Sequence, residues 1–145
     1  MNFFDALQIS SSGLSAQRVR MNVISSNLAN VNTTRTPEGG PYKRKDPVFA
    51  AQPKSSAFQG VLKSQLDGKL SEVRVLGIIA DPRPSPLKYD PQHPDANEQG
   101  YVAMPNINLV EEMVNMISAT RSYEASVAAI NASKNMALRA LEIGR

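Results

Sequence analysis

The residues best suited to chemistry are few. The single histidine lies in Asp90-Pro-Gln-His93-Pro-Asp95. Two carboxylates beside an imidazole are a metal-ligand set by type, but the spacing fits no common site and Pro94 adjoins the ring. The stretch reads as a turn with solvated side chains. Serines are numerous, yet one histidine can serve as base for only one of them, and nothing marks which. Glu111 and Glu112 are neighbours on a helical pattern, so they point to different faces and cannot act as a facing acid–base pair. Asp81, Asp90 and Asp95 remain as carboxylates for a glycosidase-like cleft, which needs two acids across one bond. There is no phosphate-binding glycine loop, no Gly-x-Ser-x-Gly elbow and no His-Glu-x-x-His. Cysteine is absent, which removes thiolate chemistry and a disulfide framework, and suits a chain that crosses membranes. No cofactor or metal is expected.

The elements that would hold such residues are clearer than the residues themselves. All ten prolines fall between Pro37 and Pro105. The chain therefore divides into an N-terminal helical segment (1–33), a basic Gly/Pro loop (34–45), a small β-rich middle (46–105) and a C-terminal helix (106–145). In the last segment Leu109, Met116, Tyr123, Ile130 and Ala137 recur every seven residues. Met113, Thr120, Val127, Lys134 and Leu141 form the companion series. This is the a/d pattern of a helix that packs along its length, about 55 Å at 1.5 Å per residue. Asn108 is placed to cap it, with Glu111 at the N3 position. Met113, Met116 and Met136 fill core or interface gaps.

Leu7, Leu14, Met21 and Leu28 form a second heptad series, partnered by Phe3, Ser10, Gln17, Ile24 and Val31. Ser10 to Ser12, Gly13 and Ser15 weaken this helix, Gly13 alone by about 1 kcal/mol relative to alanine. It should need a partner to become helical. Asn27, Asn30 and Asn32 suggest a stop near Asn30–Thr33 through a left-handed asparagine. Thr33 to Pro41 reads as a mobile loop. Strands are expected at Val48-Phe49, Phe58 to Leu62, Glu72 to Ala80 (with Gly77 disturbing the register) and Tyr101 to Met104. A turn-rich stretch runs from Lys88 to Gly100.

The fold class is thus mainly α with a β-rich insert, the two long helices paired as an antiparallel coiled-coil hairpin. Such a pairing leaves apolar faces over, including Val110, Ile117 and Leu138, and a monomer with spare apolar faces should associate. A contact between unlike faces repeats into a ring or an open filament. The net charge is +3, and residues 34–70 hold seven basic and three acidic side chains. That segment lacks the rigid, aromatic-interleaved basic stripe of a nucleic-acid binder, so no nucleic-acid partner is expected. No apolar run is long enough to span a membrane. The start of the chain carries no signal-peptide pattern, so export would use a route that does not read one.

Two stretches are more specific. They are Ser12-Gly-Leu-Ser-Ala-Gln-Arg-Val-Arg-Met-Asn-Val-Ile-Ser-Ser-Asn-Leu-Ala-Asn-Val-Asn32 and Asn108-Leu-Val-Glu-Glu-Met-Val-Asn-Met-Ile-Ser-Ala-Thr-Arg-Ser-Tyr-Glu-Ala-Ser126, continued to Ala140-Leu-Glu-Ile-Gly-Arg145. With Tyr89-Asp-Pro-Gln-His-Pro-Asp-Ala-Asn97, Gly100-Tyr-Val and Pro105-Asn, the chain resembles the flagellar rod and hook family of axial proteins. The usual family pattern runs from Asn-Leu-Ala-Asn almost directly into Gly-Tyr-Lys/Arg. Here Thr34 to Gly40 intervenes before Pro41-Tyr-Lys-Arg44. That departure and the short middle are similar to the proximal-rod members. The resemblance implies a structural subunit of the basal-body rod, located in the periplasm. It would be exported unfolded by the flagellar type III system and polymerised into a torque-transmitting shaft through its terminal helices. It also implies contacts with copies of itself, other proximal-rod proteins, the distal-rod protein and the rod-base adaptor, and with the export machinery during secretion. No small-molecule substrate is implied.

On that footing Leu7, Leu14, Met21, Ile24, Leu28 and Val31 are expected to pack against Leu109, Met113, Met116, Val127, Ile130 and Leu141, with the remaining faces on adjacent subunits. Arg35, Tyr42, Lys43 and Arg44 either contact neighbours or belong to a solvated linker. A cytoplasmic coiled-coil adaptor of the export apparatus is the alternative function. A wall-acting enzyme using Asp81, Asp90 or Asp95 is the third.

Overall fold

The computed structural model describes residues 3–53 and 71–144. Two long helices flank short strands in the order α1 (Phe3–Ala29), β1 (Lys45–Pro53), β2 (Ser71–Ala80), β3 (Leu87–Tyr89), β4 (Tyr101–Ala103) and α2 (Leu109–Ile143). The chain forms two compact units. One comprises Met1–Val19, Val48–Gly77 and Thr120–Arg145, the other Arg20–Pro47 and Ile78–Ala119. The expected strand at Phe58 to Leu62 lies outside the described residues. No helix among the described residues is long and apolar enough to cross a membrane.

In the first unit, α1 is continuous through its serine-rich start. Ser12 Oγ donates to the Ile9 carbonyl at 2.7 Å, so this hydroxyl is satisfied within the helix. The same oxygen accepts from the Val73 N–H of β2 at 3.2 Å. A shallow cavity between these elements is lined by Ser12, Ser15, Ala16 and Val19 of α1 and Glu72 to Val75 of β2. β2 runs unbroken through Gly77.

In the second unit, α1 ends at Ala29 as its sequence suggests, but by a different device. Among the described residues no non-glycine residue has a positive φ. Asn30 instead folds its side chain back on the last turn: its amide donates at 2.8 Å to the Ser26 carbonyl, which also accepts the Asn30 backbone N–H at 3.1 Å. The following loop, expected to be mobile, is closed by backbone bonds from Tyr42 N–H to Thr33 O (3.0 Å) and from Thr36 N–H to Gly40 O (2.9 Å). Gly39 (φ 89°) and Gly40 (φ 75°) supply the left-handed backbone of its tip.

β1 pairs with β2, and β3 with β4. The Asp81 N–H donates to the Arg44 carbonyl at 2.8 Å, so the start of β1 lies beside the end of β2, in antiparallel sense. Leu87, Lys88 and Tyr89 register against Ala103, Val102 and Tyr101. The sequence places Lys88-Tyr89 in a turn-rich stretch. The pairing partner that makes it a strand lies beyond the turn and is invisible to local pattern. Tyr89 and Tyr101 meet edge to face at 5.3 Å, a favourable cross-strand pair. Gly100 (φ +80°) lies beneath them, and a Cβ there would stand 3.0 Å from the Tyr89 ring and 3.2 Å from Pro91. Gly100→Ala is therefore expected to destabilise this hairpin by about 1–3 kcal/mol. Faster hydrogen exchange at the Asp90 amide, which donates to the Gly100 carbonyl, would report it.

Asn108 caps α2: its Oδ1 accepts from the Val110 N–H at 3.0 Å and the Glu111 N–H at 3.4 Å. Along the helix, covered residues recur at Glu112, Met116, Ala119, Tyr123, Ser126, Ile130, Ser133 and Ala137, alternately four and three apart. From Met116 onward, one of the two predicted series, Met116, Tyr123, Ile130 and Ala137, is thus covered, while its first member, Leu109, is exposed. Of the other, Thr120 and Val127 are partly covered while Met113, Lys134 and Leu141 are exposed. The line that replaces it carries small or hydrogen-bonded side chains. Ser126 Oγ, for instance, donates to the Ser122 carbonyl at 2.9 Å, so a serine is accommodated where an apolar side chain is expected.

Candidate functional site

The second unit is organised around a buried polar clamp. Asn27, on the last turns of α1, and Glu112, on the first turn of α2, are both fully buried. A buried carboxylate and amide are tolerated only when their hydrogen bonds are complete. The Asn27 Nδ2 donates to Glu112 Oε2 and to the Lys45 carbonyl, each at 2.9 Å. Its Oδ1 accepts from the Lys45 N–H at 3.0 Å and the Tyr42 hydroxyl at 3.3 Å. Two donors and two acceptors are the full capacity of an amide. Asn27 thereby grips the backbone of Lys45 from both sides, as a neighbouring strand would. The Tyr42 hydroxyl also lies 3.2 Å from Ser26 Oγ.

Arg44 answers the charge of Glu112. Its Nε donates to Glu112 Oε1 at 2.8 Å, and one terminal nitrogen bridges to Asp46 and lies 3.7 Å from Asp81. Burial works against the Arg44 charge, but the hydrogen bond to Glu112 and the nearby carboxylates outweigh it, and its pKa is raised. The Arg44 N–H donates to Asn106 Oδ1 at 2.8 Å, and Asn106 in turn donates to the Arg83 carbonyl at 3.2 Å. Four segments are therefore tied at one point: the end of α1, the approach to β1, the exit of β2 and the start of α2.

Asp81 is held on the rim by Arg83, whose Nη2 and Nε donate to Oδ2 at 2.6 and 2.8 Å. The Arg83 side-chain bonds, then its backbone N–H, then the charges of Arg83 and Arg44, lower the Asp81 pKa from 3.8 to about 2. The folded form thus binds the proton more weakly than the unfolded chain. The contribution to stability is complete above about pH 4 and disappears as pH falls through about 2. Urea unfolding midpoints between pH 5 and pH 2 should fall in the parent and less steeply in Asp81→Asn.

Of the carboxylates and basic residues that the sequence singles out, the clamp takes in Asp81, Glu112 and Arg44. Asp81 is committed to Arg83, and Asp95 accepts from Thr34 Oγ1 at 2.7 Å. His93 Nδ1 accepts from the Asp95 N–H at 3.1 Å, tying the imidazole into its turn. Of the four loop residues, Tyr42 is buried and Arg44 nearly so, leaving Arg35 and Lys43 exposed. Of the twelve expected helix contacts, Ile24 is buried. Leu7, Leu14, Met21, Leu28, Val31, Met116, Val127 and Ile130 are half-buried. Leu109, Met113 and Leu141 are exposed. Asn27 and Glu112 as a linked pair are not legible in the sequence, which marks the first as part of a helix stop and the second only as a neighbour of Glu111 on a different face. The available signal was a polar residue interrupting each covered stripe: Asn27 after Ala16 and Val23, and Glu112 before Met116 and Ala119.

While its polar side is locked inward, the start of α2 turns Leu109, Val110, Met113, Val114 and Ile117 outward, each about half or more exposed. Two terminal helices tied at a junction, with an apolar helix face left outside, define a structural subunit of an assembly. Comparison with known sequences agrees. Residues 7–35 match the model of the flagella basal body rod protein family, and residues 98–143 match that of the flagellar basal body rod FlgEFG protein C-terminal region. The chain is 48% identical to the flagellar basal-body rod protein FlgC of Borreliella burgdorferi, over 99% of this chain and 98% of that protein. It is 47% identical to FlgC of Bacillus subtilis over the full length of both, and 40% identical to FlgC of Escherichia coli O6:H1 over 100% of this chain and 98% of the relative. The chain belongs to the family of flagellar basal-body rod proteins, structural subunits of the bacterial flagellum.

Proposed function

We propose that the chain is a subunit of the proximal part of the rod, exported unfolded through the flagellar type III channel and folded as it joins its neighbours. Its terminal helices pair as an antiparallel coiled-coil hairpin, beginning at the Asn27–Glu112 junction. The observation that carries this reading is the apolar outer face at the start of α2. Several Leu, Val, Met and Ile side chains about half or more exposed forgo a corresponding part of the about 1.5–3 kcal/mol that full burial of each contributes, which an assembly recovers. The partners are other proximal-rod subunits, the distal-rod protein, the rod-base adaptor and copies of the chain itself. A rod role is favoured over a cytoplasmic export adaptor because the full-length relatives are named as rod proteins.

The test is to purify intact basal bodies, wash them in high salt and quantify the chain by mass spectrometry. Retention in several copies per basal body is expected. Loss in the wash, with the chain recovered from the cytoplasm, would support the adaptor instead.

A further inference from the structure

The β3–β4 hairpin has an inner and an outer face. Its register sets Leu87 against Ala103, Lys88 against Val102 and Tyr89 against Tyr101. Residues paired across a sheet share a face, and successive residues alternate. Val102 is 2% exposed and marks the inner face. Leu87, Tyr89 and Tyr101 therefore lie on the outer one, and all three are exposed. This hairpin is also acidic: residues 87–103 hold Asp90, Asp95 and Glu98 against one base, Lys88. The same compact unit carries the loop 34–45, with four basic side chains against one acidic. Arg44 is engaged in the clamp, and the Lys45 ammonium lies 5.5 Å over the Tyr42 ring. Arg35 and Lys43 are exposed, and among the described residues neither has an ion-pair partner. Thr34 bonds Asp95 at 2.7 Å, so the loop begins beside the acidic turn of its own chain without discharging its two cations there.

We infer that this face and this loop are the two halves of one contact between copies of the chain in the assembled rod: Arg35 and Lys43 of one copy dock on Tyr89, Tyr101, Asp90 and Glu98 of the next. Cations are drawn to the negative faces of tyrosine rings, and the flanking carboxylates add a direct attraction. A second copy supplies one basic loop for every acidic face. An anionic partner would be repelled by Asp90 and Glu98. The two surfaces differ and sit on one chain, so the contact joins unlike faces and repeats along an open helix. The inference rests on the rod reading and deepens it. It involves the middle of the chain and asks nothing of the terminal helices before assembly.

The chain has no cysteine, so introduced thiols report one contact at a time. Two full-length versions with different epitope tags, one Lys43→Cys and the other Glu98→Cys, would be expressed together. Basal bodies purified from these cells would be treated with a short bismaleimide. A cross-linked species carrying both tags is expected, and neither version expressed alone should dimerise. If both chains are present in basal bodies and no doubly tagged species forms, the inference is overturned while the rod reading stands. Dimers from Glu98→Cys alone would mean a symmetric contact and overturn it as well. Absence of the parent chain from basal bodies would remove the rod reading, and this contact with it. Charge reversal gives a second measurement. Arg35→Glu with Lys43→Glu should lower the amount of chain in basal bodies at least about fivefold, because like charges then face each other. Adding Asp90→Lys and Glu98→Lys should restore it, and a failure to restore would count against the pairing.

Discussion

Asn27→Asp is expected to lower the stability of the clamp unit by about 3–5 kcal/mol, more than complete truncation of many surface side chains. The change is isosteric, so packing is preserved and electrostatics decide. In the parent, Nδ2 donates to the Glu112 carboxylate and the Lys45 carbonyl, each at 2.9 Å. A carboxylate oxygen at the same position faces two acceptors and one full negative charge, and the pair is relieved only by taking up a proton, at a cost in stability near neutral pH. Both sites are fully buried, so solvent does not screen the repulsion. Arg44 cannot answer the added charge, because it already serves Glu112 and Asp46 and lies beside Asp81. Urea unfolding followed by circular dichroism would measure the loss. The double variant Asn27→Asp/Glu112→Gln should recover part of it, because the Gln amide donates where the carboxylate repelled. A double-mutant cycle with no coupling would show that the two side chains do not meet.

The second large effect concerns the proposed packing of the terminal helices. Leu28→Asp with Ile130→Asp is expected to abolish rod assembly while leaving secretion largely intact. Leu28 and Ile130 are half-buried, and a carboxylate in an apolar contact costs several kcal/mol unless it finds a partner. An unfolded chain in transit makes no such contact, so export should continue. The measurement is motility in soft agar together with immunodetection of the chain in purified basal bodies and in the export fraction. Normal rods in this variant would refute the packing of the terminal helices through these residues.

The two effects separate two kinds of information. Periodicity and punctuation were sufficient for the two helices, the Asn108 cap and the strand at Ser71–Ala80, because each depends on neighbours within a few residues. The family resemblance was likewise legible in the end segments, where residues 7–35 and 98–143 match the rod models. The closing bonds of the loop after α1 link residues four and nine apart, with Gly39 and Gly40 doing the turning, and composition alone does not reveal them. The three-residue strand Leu87–Tyr89 was missed because its partner, Tyr101–Ala103, is what makes it a strand.

The rotation of α2 was decided by tertiary structure alone. A heptad pattern reports that a helix has an apolar stripe, and the natural inference is that the stripe faces inward. At the start of α2 Leu109 and Met113 of that pattern are exposed, while the polar Glu112 between them is buried, because Glu112 is held by Asn27, 85 positions earlier in the chain, and by Arg44, 68 positions earlier. No local pattern carries that constraint. A lone glutamate in an apolar stripe is indistinguishable by sequence from a solvated one until a donor pair is brought against it. Local spacing and residue type were enough to mark which segments are helical and to which family the chain belongs. Only the folded chain decided which face each helix hides, because a buried charge is tolerated solely where distant donors converge on it.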